Sequence, residues 1–426
     1  MNDRPQHKLD RAVDHLHDQM VEIRRHLHAH PEASGQEYAT SRYITEQLSA
    51  AGIRTRLGPD DRGVVADFPD RAGGNEVGIL ALRADIDALR IHDRKQVNYR
   101  STSPGLMHAC GHDAHAAVVF GALVALHEVQ ADGELDREIR IRGIFQPEEE
   151  TCAGAKRMIE AGAIEGVEAI LSMHVDPSRP VGCIGLRSGL LTASGDSMRV
   201  RIIGKGGHAA RPHEASDPIA AAAQLINALY LFVPRAIDSQ DAVVLTIGMI
   251  AGGDNSNVIP EQVELRGTLR TLDRKVRDET IQHIRRLAHG VAETSDVKID
   301  VQFKHSADPL RNDAGLVDLL RRAARKVVGD DGVDEIFRPS MGSEDFAFYL
   351  EHAAGGMFRL GCVSPRRGGS PLHSPNFDVD EVALAIRAKV LAHAAMLWSN
   401  ARRPAARQTD RQSADTGLTP PTTDLV

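Results

Sequence analysis

The rhythm of this chain changes at Ser197 and changes back near Asp308, and that interruption constrains the fold more than any other feature. Before it, apolar stretches alternate between helix and strand. A helix is predicted over 40–51, strands near 63–68 and 77–83, a buried helix over the apolar run 116–126, and a strand at 138–145. Such alternation predicts an α/β layer architecture. Inside the interruption, residues 197–203 alternate like a strand, and Asp217-Pro218 caps and opens a helix through 219–231. Strands follow at 242–250 and 262–272, then a helix over 276–294 and a strand at 297–304. That order, βαββαβ, is the ferredoxin-like split βαβ pattern. The α/β character then returns, with helices near 315–328 and 381–398. The expected organisation is one α/β domain, residues 1–193 and 308–400, interrupted by an α+β module at 194–307, with hinges at 189–195 and 305–309.

A length of 426 residues agrees, since it exceeds what one core usually serves. At the N-terminus Leu9, Val13, Leu16, Met20, Ile23 and Leu27 form one stripe of an amphipathic helix ended by Pro31. Residues 401–426 lack apolar periodicity and are expected to be a disordered tail. The net charge of −8, with 51 basic and 59 acidic residues spread along the chain, gives no basic patch, which argues against nucleic acid as a partner. Four widely spaced cysteines (Cys110, Cys152, Cys183, Cys362) are too few for a disulfide framework and fit a reducing compartment. No apolar signal region opens the chain, and no stretch reads as long and apolar enough to span a bilayer. A cytoplasmic protein without membrane contact is expected.

The chemistry concentrates in a few segments. In Met107-His108-Ala109-Cys110-Gly111-His112-Asp113-Ala114-His115, a thiol, three imidazoles and a carboxylate crowd together just before the predicted buried helix. Soft ligands are costly to keep in a core unless something binds them. A lone Cys-x-His is more often a buried thiol beside surface imidazoles, so the rest of the sequence must decide. Gln146-Pro147-Glu148-Glu149-Glu150 follows an apolar strand, where a solvated helix face fits poorly. Neighbouring carboxylates beside a cation divide labour, one as ligand and the next as general base. Arg83-Ala84-Asp85-Ile86-Asp87, Met173-His174-Val175-Asp176-Pro177 and His373-Ser374-Pro375-Asn376-Phe377 also end or follow predicted elements, where open α/β sheets place their sites. His26, His28 and His30 are dense, but His26 and His28 face different sides of a helix that Pro31 closes, so packing or capping is the reading.

Jointly these segments identify a resemblance. Arg25-His26-Leu27-His28-Ala29-His30-Pro31-Glu32, Leu82-Arg83-Ala84-Asp85-Ile86-Asp87-Ala88-Leu89, His108-Ala109-Cys110-Gly111-His112-Asp113 and Phe145-Gln146-Pro147-Glu148-Glu149-Glu150 occur in order. Gly204-Lys205-Gly206-Gly207-His208-Ala209-Ala210, Asn257-Val258-Ile259-Pro260, Met341-Gly342-Ser343-Glu344-Asp345-Phe346 and His373-Ser374-Pro375 follow them. The chain resembles, over roughly residues 15 to 400, the aminoacylase, hippurate hydrolase and indole-acetyl-amino-acid hydrolase group of binuclear metallo-amidohydrolases, relatives of carboxypeptidase G. The resemblance implies a mixed-sheet, metallopeptidase-like catalytic domain carrying the ferredoxin-like insert.

It also implies two divalent cations, manganese or zinc with cobalt admissible, held by Cys110, His112, Glu150, His174 and His373. Asp87 would orient His112 or a neighbouring ligand. The family reads Gln-Pro-Ala-Glu-Glu-Gly where this chain has Gln146-Pro147-Glu148-Glu149-Glu150-Thr151. Aligned on the proline, Glu149 is the base and Glu150 the ligand, although the extra glutamate leaves the register open by one residue. Thr151 for glycine, and Arg90 for the usual proline, bear on pocket shape. His208 would reach the substrate carbonyl from the insert of a partner subunit, while Asn257 and Arg270 would bind substrate, Arg270 as a fork for a carboxylate. A homodimer through the insert, with strand 197–203 or its helices pairing, is expected. The reaction implied is hydrolysis of an N-acyl amino acid or similar amide by a metal-activated water. A dipeptidase or carboxypeptidase on the same fold, a cysteine hydrolase using Cys110 and a non-catalytic binding protein are the rivals.

Overall fold

The computed structural model describes residues 4–69, 78–135, 138–365, 367 and 369–401. The N-terminal stripe forms α1 (Arg4–His15) and α2 (His17–Ala29) instead of one helix. The two meet at Leu16, which keeps a right-handed helical backbone, with Leu16 N donating to Ala12 O at 3.2 Å and Met20 N to Leu16 O at 2.9 Å. Both segments bury the stripe, with Leu9, Val13 and Met20 wholly enclosed. Next come α3 (Tyr38–Ala50), β1 (Arg54–Leu57), β2 (Val64–Phe68), β3 (Ile79–Asp85), α4 (His112–Ala131), β4 (Arg140–Gln146), α5 (Gly154–Glu160), β5 (Val167–Pro180), β6 (Ile184–Leu186) and β7 (Gly189–Thr192). The start predicted for β3, Val77, and the expected tail beyond Ala401 lie outside the described residues.

The insert supplies β8 (Ser194–Ile203), β9 (Gly207–His208), α6 (Pro218–Ala236), β10 (Val243–Ala251), β11 (Val258–Ile259), β12 (Gln262–Thr271), α7 (Arg274–Ser295) and β13 (Lys298–Ala307). The chain then returns through β14 (Leu310–Asn312), α8 (Ala314–Val328), β15 (Val333–Glu335), β16 (Ala354–Val363) and α9 (Val382–Ala401).

Two principal sheets result. The larger is mixed, with strand order β1-β2-β4-β3-β5-β16-β6-β15. Its centre, β4-β3-β5-β16, is parallel, while β2 and β6 run against their inner neighbours. Alternation along β3 feeds both faces: Leu80, Leu82 and Ala84 enter the core under α1, α2, α4, α8 and α9, and Ile79 and Ala81 enter the core under α5 and the turn Asp345–Glu351. Every residue of α4 from His112 to Leu126 is buried. The smaller sheet, ordered β10-β12-β8-β13, is antiparallel and carries α6 and α7 over its own core of Val200, Ile202, Leu225, Leu229, Ile281 and Ile284. Asp217 caps α6, its Oδ1 accepting from Ile219 N at 2.8 Å. The fold is thus a mixed-sheet α/β unit interrupted by a ferredoxin-like α+β unit.

Three expectations need correction. Strand β8, taken as a pairing edge, is enclosed between β12 and β13, and the edges are β10 and β13. The segments expected as hinges contain strands, and β7 pairs antiparallel with β14 where the chain leaves and re-enters the larger unit. Finally, His112–Ala131, Pro218–Ala236 and Val382–Ala401 are each long and apolar enough, by length and composition, to cross a bilayer. In α4 and α9 that length serves the core, where the two helices lie against each other.

Candidate metal centre

The site lies at the carboxyl ends of β3 and β4 and beside the middle of β5, over the start of α4. Gly111 joins Cys110 to His112 with φ of 88°, and a Cβ there would stand 2.6 Å from Val175 Cγ2. Only glycine lets the thiol and the imidazole turn into one space across this close approach. Asp87 then fixes His112: its Oδ1 lies 3.0 Å from His112 Nδ1, and its Oδ2 accepts from Ser34 Oγ at 2.7 Å and Glu150 N at 3.0 Å. One buried carboxylate therefore orients two of the expected ligands, and His112 Nε2 is turned into the site.

The expected ligands converge. Cys110, His112 and His174 offer donor atoms within 4.8 Å of one another, as do Cys110, Glu150 and His373, and His112, Glu149 and Glu150. Cys110 Sγ stands 3.4 Å from His174 Nε2. His174 Nδ1 lies 2.7 Å from Val175 O, which leaves Nε2 directed at the thiol. His373 Nε2 is 3.4 Å from Glu150 Oε1. The His373 backbone adopts φ of 61°, a left-handed conformation that costs a non-glycine residue roughly 1–3 kcal/mol. It is held there by His373 N donating to Ala109 O at 2.8 Å.

Chemically this set fits divalent cations. Among the described residues the buried His112 Nε2 has no hydrogen-bond partner, although the thiol and carboxylates surround it. Burial opposes its charge, yet Asp85, Cys110 and Asp87 outweigh burial and hold its pKa well above the usual imidazole range. Cys110 and Glu150 likewise hold His373 up to about 10. Glu149 is raised well above the carboxylate range by burial, then by Glu344, Asp345 and Glu150. The pocket's field thus favours positive charge and penalises another bare anion. Thiolate, imidazole and carboxylate together, one thiolate shared between two donor triads, suit a two-cation centre.

The neighbours separate cleanly. His115 Nδ1 lies 2.6 Å from Asp85 Oδ1 and its Nε2 accepts from Val175 N at 3.0 Å, so both ring nitrogens are engaged away from the site. His28 lies between Asp113, at 2.7 Å, and Asp93, at 3.3 Å, in a buried network outside the pocket. Glu148, the residue that departs from the family pattern, turns away with φ of 56° and pairs with Arg62. Glu149 and Glu150 are left to line the pocket.

That pocket, about 360 Å³, is lined by Cys110, Glu149, Glu150, His174 and His373 together with Arg270, Ser343 and Glu344. Arg270 crosses from the insert, with Nη1 donating to Met341 O at 3.2 Å and to Ser343 Oγ at 3.3 Å. His208 and Asn257 are exposed neighbours on the β9–β11 ribbon, where Ala209 N donates to Asn257 O, and neither lines the pocket. Residue reasoning assigned no role to Cys152, Glu344, Asp345 or Arg359. Glu344 and Asp345 lie within a recognised motif, which was a usable signal, whereas nothing around Arg359 marks it in the sequence.

Residues 81–397 match the family described as Peptidase family M20/M25/M40. N-acetyl-L-cysteine deacetylase of Bacillus subtilis is 40% identical over 372 residues, 87% of this chain and 85% of that protein. Thermostable carboxypeptidase 2 of Saccharolobus solfataricus is 35% identical over 398 residues, 92% of this chain and 98% of that one. Among solved structures, the Bacillus subtilis YXEP protein, described as a dinuclear metal binding peptidase from the M20 family, matches with a TM-score of 0.75 at 34% identity, covering 91% of this chain and 99% of that chain.

Proposed function

The chain belongs to peptidase family M20/M25/M40 and is a hydrolase of amide or peptide bonds, and from that premise we propose that it cleaves N-acylated amino acids to a carboxylic acid and an amino acid. The observation that carries this reading is that Glu149, the thiolate, imidazole and carboxylate donors, and Arg270 of the insert line one pocket. Two divalent cations held by Cys110, His112, Glu150, His174 and His373 would supply Lewis-acid charge and an acidified water. Zinc suits the thiolate and imidazoles by softness, with manganese and cobalt the other candidates.

The protein's own groups divide the remaining work. Glu149, whose proton affinity is raised by burial and by Glu344, Asp345 and Glu150, takes a proton from the attacking water and returns it to the leaving nitrogen. Arg270 takes the carboxylate of the amino-acid half, its guanidinium fork matching that anion. Asp87 keeps His112 and Glu150 aimed at the cations.

His208 and Asn257 serve the pocket of a second copy, where His208 stabilises the developing oxyanion. Support for that arrangement is their exposure on one ribbon, together with an apolar face on the same unit: Ile219, Tyr230, Leu231 and Phe232 of α6 and Val244, Met249 and Ile250 of edge strand β10 are exposed. We assign the enzyme to the cytoplasm on its four free cysteines. A peptide in place of the acyl amino acid is the second reading, favoured by the likeness to a carboxypeptidase.

The decisive variant is Glu149→Gln. Cation stoichiometry should match the parent protein, while turnover of acylated amino acids falls by about a thousandfold. Retained turnover overturns the assignment. Comparing N-acyl amino acids with dipeptides of the same C-terminal residue separates the two substrate readings.

A further inference from the structure

Two arginines take no part in the hydrolytic scheme. Arg359 lies on β16 in register with His174 of β5, and it lines the 360 Å³ pocket with that imidazole. It also lines an adjoining cavity of about 260 Å³, whose wall includes Val175, Leu191, Arg338 and Leu372. Ser340, Arg359 and Leu372 belong to both cavities, so the second opens from the first. Arg359 is half-buried and Arg338 exposed, and among the described residues neither has an ion pair or a hydrogen bond.

The other charges of the adjoining cavity are already matched. Arg179 Nε donates to Asp176 Oδ2 at 3.0 Å and its Nη1 to Asp334 at 2.8 Å, while Asp176 Oδ1 accepts from Ser178. Arg359 and Arg338 are therefore the charges of the adjoining cavity that have no ion-pair partner among the described residues. An arginine without a carboxylate partner keeps its guanidinium fork open to an anion. The adjoining cavity therefore presents Arg359 and Arg338 to whatever enters it from the pocket.

We propose that the adjoining cavity is a subsite for a second carboxylate of the substrate, held by Arg359 and, from the rim, by Arg338. The proposal rests on the acyl-amino-acid reading and deepens it: Arg270 takes the α-carboxylate, and Arg359 takes a carboxylate on either the amino-acid side chain or the far end of the acyl group. Arg359 is then a specificity-determining residue, since it distinguishes substrates without touching the scissile bond.

Matched substrates test this and distinguish the two sources of the carboxylate. N-acetylglutamate against N-acetylglutamine places it on the side chain, and N-succinylalanine against N-butyrylalanine places it on the acyl group. The parent enzyme should prefer the dicarboxylate in one pair by about tenfold or more in kcat/KM, expressed mainly in KM. Arg359→Gln should abolish that preference and Arg359→Lys should keep part of it. No preference in either pair, or a preference unchanged in Arg359→Gln, overturns the subsite. Calorimetric titration of glutarate against butyrate into the cation-loaded protein gives a readout independent of turnover. If none of the four amides is cleaved but glutarate still binds the parent more tightly than Arg359→Gln, the subsite stands and the acyl-amino-acid reading falls. Equal glutarate binding by both proteins overturns the subsite. Should Arg359→Gln fail to fold, Arg338→Gln on the exposed rim provides the second variant, with a twofold to threefold smaller preference expected and an unchanged one counting against the proposal.

Discussion

At the scale of single residues, Cys110 is the hinge of the site, because it belongs to two donor triads, one with His112 and His174 and the other with Glu150 and His373. The two triads make different demands on a variant. Cys110→Ser should deplete both cations, since a hydroxyl is a far poorer ligand than a thiolate. His373→Ala should deplete the cation of its own triad and leave the other. Metal analysis after dialysis reads the difference, and equal losses in both variants would refute a shared thiolate. The same scale explains His115, which sits close to the ligands yet spends one nitrogen on Asp85 and the other on the Val175 amide.

At the scale of elements, buried charge ties the pieces that carry the ligands. Arg24 of α2 bonds Asp113 at the start of α4 at 2.9 Å and Asp378, just beyond the His373 segment, at 2.6 Å. Glu37, just before α3, accepts from the amides of Gly35 and Glu148, each at 2.9 Å, which braces the glutamate run. Burial and then Asp87 push the Glu37 carboxyl from its ordinary 4.5 up to about 7. Between those values the folded state binds more protons than the unfolded chain. The stability this group contributes is therefore complete below about pH 4.5 and is lost as pH rises towards 7. Glu37→Gln keeps an acceptor for both amides and removes the titration. Denaturant unfolding between pH 4.5 and 7 should show a flatter pH dependence in the variant than in the parent. Parallel curves would show that Glu37 does not titrate there.

At the scale of the whole molecule, the pocket is built by both units but completed, in our reading, by a second copy. Arg270 reaches the pocket from the insert of its own chain, whereas His208 and Asn257 face outward on the β9–β11 ribbon. Action across subunits makes a specific demand on mixtures. His208→Ala and Glu149→Gln should each be nearly inactive alone, yet mixing them under conditions of subunit exchange should restore activity, because a hybrid dimer contains one intact pocket. No recovery in a mixture shown by sedimentation to contain hybrids would place His208 within its own subunit. Ile250→Asp, on the exposed edge of β10, should favour monomers in the same measurement.

The sequence by itself determined the local structure and the inventory of donors. The βαββαβ order of the insert, the Asp217 cap and the fully apolar α4 were legible because periodicity and capping are local properties of neighbouring residues. The resemblance named the donors, and the structure brings Cys110, His112, Glu150, His174 and His373 together across more than 260 positions of chain. Only the tertiary structure decided the rest. It set which way each of three successive glutamates turns, a choice made by Arg62 drawing Glu148 aside. It enclosed β8, which alternates as an edge strand could, between two partners. It also placed Arg359 beside His174 with no ion-pair partner among the described residues, a matter of register between strands far apart in the chain, which no local pattern encodes.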